Sequence, residues 1–122
     1  MPKIIVVDDD HTATALFEQV LLMYNYEVIT LNDSAKTIEI ASAELPDLFI
    51  LDLMMPEPDG FKLCRMLREH PQFRRTPIII VTALNDLDSK LVAMGAGAND
   101  YLVKPFHIDQ LFTIIDKQLK KI

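Results

Sequence analysis

The sequence has one cysteine, Cys64, in 122 residues. A single thiol forms no intramolecular disulfide and no cysteine-based zinc site. Long apolar runs are also missing, and none approaches the roughly 18 residues of a membrane span. Positive charge is in deficit: 12 Lys and Arg stand against 18 Asp and Glu, a formal net charge of −6. That balance argues against direct binding to a nucleic-acid phosphate backbone. The N-terminal stretch MPKIIVVDDD has one Lys and a short apolar run that ends in three acids. A signal peptide has a longer apolar region that ends in small residues. Internal repeats, low-complexity tracts and linkers are absent as well. What is present is a globular composition, half hydrophobic and a quarter charged. The expectation is one soluble, cytoplasmic domain over residues 1–122, with a core that needs no staples.

Strand and helix patterns alternate along the chain. Ile4–Val7 is a short β-branched run, as expected of a strand covered on both faces. Ala13, Leu16, Phe17, Val20, Leu21 and Tyr24 then recur at helical spacing, with Asn25 suited to the C-terminal cap. Glu27–Leu31 reads as a second strand. A helix follows from about Ala35 to Glu44, with cap candidates in Asn32, Asp33 and Ser34 and a stop at Pro46. Asp47–Leu51 is a third strand, and Leu53–Gly60, with two prolines and a glycine, is loop. Helices are predicted at Phe61–His70, at Leu87–Met94 and on the stripe Ile108, Leu111, Phe112, Ile115 and Leu119. Strands are predicted at Ile78–Val81 and Tyr101–Val103. The pattern is (βα)5, which joins parallel strands by right-handed crossovers. It is too short for an eight-stranded barrel of about 250 residues. The expected fold is therefore an open, doubly wound five-stranded α/β sheet. Ligands of such sheets sit outside the carboxyl ends of the strands.

Those carboxyl ends carry Asp8, Asp9 and Asp10, then Asp52, Thr82 and Lys104. The second strand ends in Leu31 and Asn32, with nothing distinctive. Neighbouring strands are about 4.8 Å apart, so these groups converge on one pocket. Two carboxylates 5 Å apart repel by about 3 kcal/mol at an effective dielectric near 20. A divalent cation relieves that repulsion, and carboxylates with a backbone carbonyl and waters suit Mg²⁺. A neighbouring ammonium and hydroxyl complete a site that holds a phosphoryl group over a metal. Asp52 is the best nucleophile candidate, because it ends an apolar strand before a constrained loop and can form an acyl phosphate.

Taken alone, each residue has a plainer role. The three acids suit a helix N-terminus. Thr82 suits a cap for the next helix, and Lys104 a solvated surface. Tyr101 and Cys64 fit core positions. His11 fits the surface, His70 a helix end, and Asp100 and Asp109 exposed acids. The joint occurrence of reactive groups at four strand ends is what singles out the site.

The segments Ile4–Asp10, Leu48–Gly60 (LFILDLMMPEPDG), Ile78–Ala83 (IIIVTA) and Gly95–Phe106 (GAGANDYLVKPF) together resemble the receiver domain of two-component response regulators. The resemblance covers the whole chain and implies a flavodoxin-like sheet of order 2-1-3-4-5. It implies that Asp52 accepts a phosphoryl group from a histidine kinase or phosphotransfer protein. It implies that Asp8, Asp9, Asp52 and the Met54 carbonyl bind Mg²⁺, or Mn²⁺ in its place. It makes Lys104 the phosphoryl contact, with Thr82, Ala83 and Tyr101 responding and a cis bond before Pro105. The implied output surface is the fourth helix, fifth strand and fifth helix, open to an effector or output domain, with no membrane partner. The third acid, Asp10, leaves the metal register ambiguous by one residue. The last helix lacks the basic residue typical of dimers made by the family's winged-helix transcription factors.

Three other readings remain open on the residues alone. Asp8-Asp9-Asp10-His11-Thr12 fits the D-x-D-x-T of haloacid-dehalogenase-like phosphohydrolases, with Asp8 as nucleophile. A flavodoxin-like electron carrier fits the strand count, although three acids after the first strand repel a flavin phosphate. A receiver-like binding module without phosphorylation is the third.

Overall fold

The computed structural model describes residues 1–120, so the last two residues of the expected 1–122 domain lie outside the described part. The strands are β1 (Lys3–Val7), β2 (Glu27–Leu31), β3 (Leu48–Leu51), β4 (Ile78–Thr82) and β5 (Asp100–Val103). The helices between and after them are α1 (His11–Met23), α2 (Thr37–Glu44), α3 (Gly60–Glu69), α4 (Leu87–Gly95) and α5 (Ile108–Leu119). All strand pairs are parallel, in the order β2-β1-β3-β4-β5. The expected sheet and order are both present.

Period-two alternation divides the apolar strands between two cores. Ile5, Val7, Phe49, Leu51, Ile78 and Ile80 pack with Ala41, Leu63, Cys64, Leu67 and Ala93 of α2, α3 and α4. Ile4, Val6, Leu48, Ile50, Ile79 and Val81 pack with Phe17, Leu21, Leu111 and Ile115 of α1 and α5. A strand buried on both faces needs apolar residues at every position, which is why β1, β3 and β4 read as unbroken runs.

Element boundaries differ from expectation where local hydrogen bonds compete. Asp10 is the N-cap of α1, its carboxylate accepting from Thr12 N at 2.9 Å, so that helix starts earlier than the apolar stripe. The buried stripe of α1 is Thr14, Phe17 and Leu21, while Leu16 and Tyr24 are exposed. Asn25 has φ 64° and closes α1 in the left-handed region, as expected. Ser34–Lys36 forms a 3₁₀ turn capped by Asp33, and α2 begins only at Thr37. Phe73, in the connection after α3, is buried edge-on against Phe49 at 5.4 Å between ring centroids. Thr82 does not cap α4; Asp86 does, accepting from Ser89 N at 2.9 Å. Asp100 is not a free surface acid: it accepts from Tyr101 N and Gln118 Nε2 and pairs with Lys117 at 3.7 Å. No helix among the described residues is long and apolar enough to cross a membrane.

Candidate functional site

The chain leaves β1 toward β2 on one side and returns to β3 on the other, so strand order reverses between β1 and β3. A crevice at such a point is where open α/β sheets bind ligands. Val7 pairs with Leu51 across these strands, so the next residues, Asp8 and Asp52, emerge side by side. Main-chain bonds fix them there: Asp8 N donates to Leu31 O at 3.0 Å and Asp52 N to Val7 O at 3.1 Å. Both are buried, Asp8 at 2 % and Asp52 at 8 % exposure.

Lys104 follows β5, and its own N–H donates to Thr82 O at 2.8 Å. Its side chain reaches across the end of β4. There Nζ lies 2.8 Å from Asp8 Oδ2 and 3.1 Å from Asp52 Oδ2. One ammonium is thus shared by two buried carboxylates. The remaining oxygens are also bonded: Asp8 Oδ1 accepts from Asp10 N at 3.0 Å, and Asp52 Oδ1 from Met54 N at 3.1 Å. Burial pushes the Asp8 carboxyl above its ordinary value, and the Asp52 charge adds to this. Lys104 and the Asp10 N–H oppose the rise. Burial works against the Lys104 ammonium, yet its bond to Asp8 and the Asp52 charge hold its pKa above the usual lysine value.

The other expected site residues divide into those near this pair and those apart. Thr82 is fully buried at the end of β4, between β3 and β5, and its hydroxyl accepts weakly from Leu84 N at 3.4 Å. The Tyr101 hydroxyl donates to Leu84 O at 2.8 Å, tying β5 to the β4–α4 loop. The Lys104–Pro105 bond is cis. Asp9, Met54 and Ala83 are exposed. Among the described residues, no group of three acidic, histidine or cysteine side chains lies close enough together to hold a metal. Asp10 serves as the α1 cap. Cys64 is buried, with Sγ 3.6 Å from Ala96 O, and plays no part in the site.

The end of β2 is less plain than it reads. Asn32 Nδ2 donates to Asp8 O, and Ser34 Oγ to the loop after Asp52. No spacing rule exposes such side-chain bonds to distant carbonyls. Gly60 is required by close approach: a Cβ there would meet Asp52 O at 2.1 Å.

Residues 4–116 match the response regulator receiver domain. The chain belongs to that family. It is 38% identical over 110 residues to the response regulator PleD of Caulobacter vibrioides, covering 90% of this chain and 24% of PleD. The BeF3-activated N-terminal receiver domain of RstA from Klebsiella pneumoniae superposes with a TM-score of 0.91 at 30% identity, over 98% of this chain and 99% of that one. The receiver domain of the sensor histidine kinase PA1611 from Pseudomonas aeruginosa, solved with a magnesium ion in its active-site cleft, superposes with a TM-score of 0.89 at 29% identity, over 97% of each chain. The chain spans about a quarter to half the length of the curated relatives it matches. A receiver domain of a two-component response regulator is what these likenesses identify.

Proposed function

We propose that this receiver is a phosphorylation-activated switch whose phosphoacceptor is Asp52. The observation that carries it is the single Lys104 ammonium spanning Asp8 and Asp52 at adjacent strand ends. An Asp52 carboxylate oxygen forms the new O–P bond as the P–N bond of a phosphohistidine breaks, and the electron pair of that bond stays on the imidazole nitrogen. Lys104 already contacts Asp52 Oδ2, so its charge is in place for the phosphoryl oxygens without reorganisation. The Thr82 hydroxyl is a further donor one strand away. Loss or gain of its bond to Leu84 N reaches Tyr101, because Tyr101 holds the Leu84 carbonyl.

The donor set fits Mg²⁺, with Mn²⁺ as a substitute. Asp8 and Asp52 offer hard oxygens whose charge one ammonium does not neutralise, and Asp9 and the Met54 carbonyl lie on the same two loops. When bound, the cation supplies charge neutralisation at the phosphoryl oxygens. Asp8 as nucleophile is disfavoured because Asp10, the second acid such chemistry needs, is engaged as a helix cap. The chain then acts as a cytoplasmic switch that assists its own phosphorylation and hydrolysis, not as a turnover enzyme. Its donor is a histidine kinase or phosphotransfer protein. The readout face is α4, β5 and α5: Leu87, Leu91 and Val92 are exposed on α4, and Tyr101 and Phe106 are half-buried. An effector or output domain, and not DNA itself, is the partner there.

Acetyl phosphate with Mg²⁺ tests this by intact-protein mass. The parent gains one phosphoryl group, Asp52→Asn gains none, and chelation abolishes the gain. Labelling of Asp52→Asn at the parent's level overturns the assignment.

A further inference from the structure

The loop after β2 grips both acid-bearing loops at once. Asn32 uses both amide hydrogens: Nδ2 donates to Asp8 O at 2.9 Å and to Thr14 Oγ1 at 2.9 Å. Thr14, itself buried, passes its proton to His11 O at 3.2 Å. Asp8 is therefore held on both sides of its backbone by consecutive residues, through its N–H to Leu31 O and its carbonyl from Asn32. Two residues on, Ser34 is 6 % exposed and aims its hydroxyl at Pro58 O, 2.7 Å away, and Pro56 O, 3.1 Å away. Those carbonyls belong to the loop that follows Asp52. The two prolines have no N–H of their own to tie that loop down, and partly buried carbonyls need a donor.

We propose that Asn32 and Ser34 are positioning residues that form a brace between the Asp8 and Asp52 loops and so set the affinity of the acidic site for its divalent cation. This rests on the phosphorylation site proposed above. Neither side chain touches a carboxylate oxygen or a reacting atom. Both act through main-chain carbonyls of the two loops whose acids must share one ion. Mg²⁺ demands near-ideal octahedral geometry, so a small change in carboxylate separation is felt in binding. Groups that orient metal ligands cost about 10- to 100-fold in affinity when removed.

The test is a Mg²⁺ titration of the folded protein by amide NMR, with no phosphodonor present, and a thermal melt of each variant. Asn32→Ala and Ser34→Ala each raise the Mg²⁺ dissociation constant about tenfold. Ser34→Thr, which keeps the hydroxyl, binds as the parent does. Labelling by acetyl phosphate falls at limiting Mg²⁺ in the two alanine variants and recovers at saturation. A lowered melting temperature with an unchanged dissociation constant means the brace is structural only, and overturns the proposal. A parent that takes neither Mg²⁺ nor label overturns the phosphorylation site and the brace with it. A parent that takes both, while the alanine variants bind as tightly, overturns the brace alone.

Discussion

Replacing Lys104 by Met removes the one cation that the described residues place against Asp8 and Asp52. The Asp8 and Asp52 side chains are 3% and 10% exposed, whereas Lys104 is 24% exposed. Removing one partner of a buried ion pair costs about 3–5 kcal/mol. Partial exposure of the lysine reduces this to about 2–3 kcal/mol near neutral pH without metal. For a domain of this size that is a fall of about 10 °C in melting temperature. The pH dependence has a definite sign. Burial, first of all, raises the folded-state pKa of Asp8 above its ordinary value of 3.8. A raised carboxyl contributes stability that is present below 3.8 and lost as pH climbs through the folded value. Deleting Lys104 removes a group that holds Asp8 down, so the variant's loss extends to higher pH. The gap between parent and variant is small below about pH 4 and largest near about pH 7. Millimolar Mg²⁺ narrows it, because a divalent cation takes over the missing charge. Urea unfolding followed by circular dichroism, at both pH values and with and without Mg²⁺, measures all of this. A metal-free variant as stable as the parent near neutrality, or a gap that ignores pH, refutes the reasoning.

Three further outcomes follow from the packing. Gly60→Ala places a Cβ 2.1 Å from Asp52 O and 2.6 Å from Leu53 Cα, both backbone atoms. It destabilises by about 3 kcal/mol in urea titration, whereas Gly95→Ala, with nothing within 4 Å, stays within about 1 kcal/mol of the parent. Arg68 donates to Gly97 O, Phe73 O, Thr76 O and Asn99 Oδ1, joining α3 to two separate loops. Arg68→Met therefore costs at least about 2 kcal/mol, read as a lower urea midpoint. The Cys64 thiol, buried and pushed up to about 11 by desolvation, reacts with iodoacetamide only as fast as the protein opens. Alkylation of the native protein at the rate of a free thiol contradicts its burial.

The fold was legible because its central strands are covered on both faces. Ile4–Val7, Leu48–Leu51 and Ile78–Val81 have no choice but continuous apolar sequence. Asp8, Asp52 and Lys104 were legible because parallel strands put all their carboxyl ends on one edge. Helix faces were less so. Leu16 and Tyr24 continue the apolar spacing of α1, yet the buried stripe is set by Thr14, whose hydroxyl is satisfied by its own helix. Thr82 reads as a cap, but the β4–α4 loop is long enough for Asp86 to take that role. Asn32, Ser34 and Arg68 were illegible for one reason. Each acts through carbonyls brought near by tertiary structure, and a carbonyl has no sequence identity.

Reductive trapping of the phosphorylated protein tests the central claim most directly. Borohydride converts an acyl phosphate to an alcohol, so an aspartyl phosphate becomes homoserine at the position that carried it. After treatment with acetyl phosphate and Mg²⁺, then borohydride, peptide sequencing by mass spectrometry locates that residue. The expected result is homoserine at position 52 and unmodified aspartate at 8, 9 and 10. Homoserine at position 8, or at none of the four, contradicts the assignment of Asp52 as the phosphoacceptor.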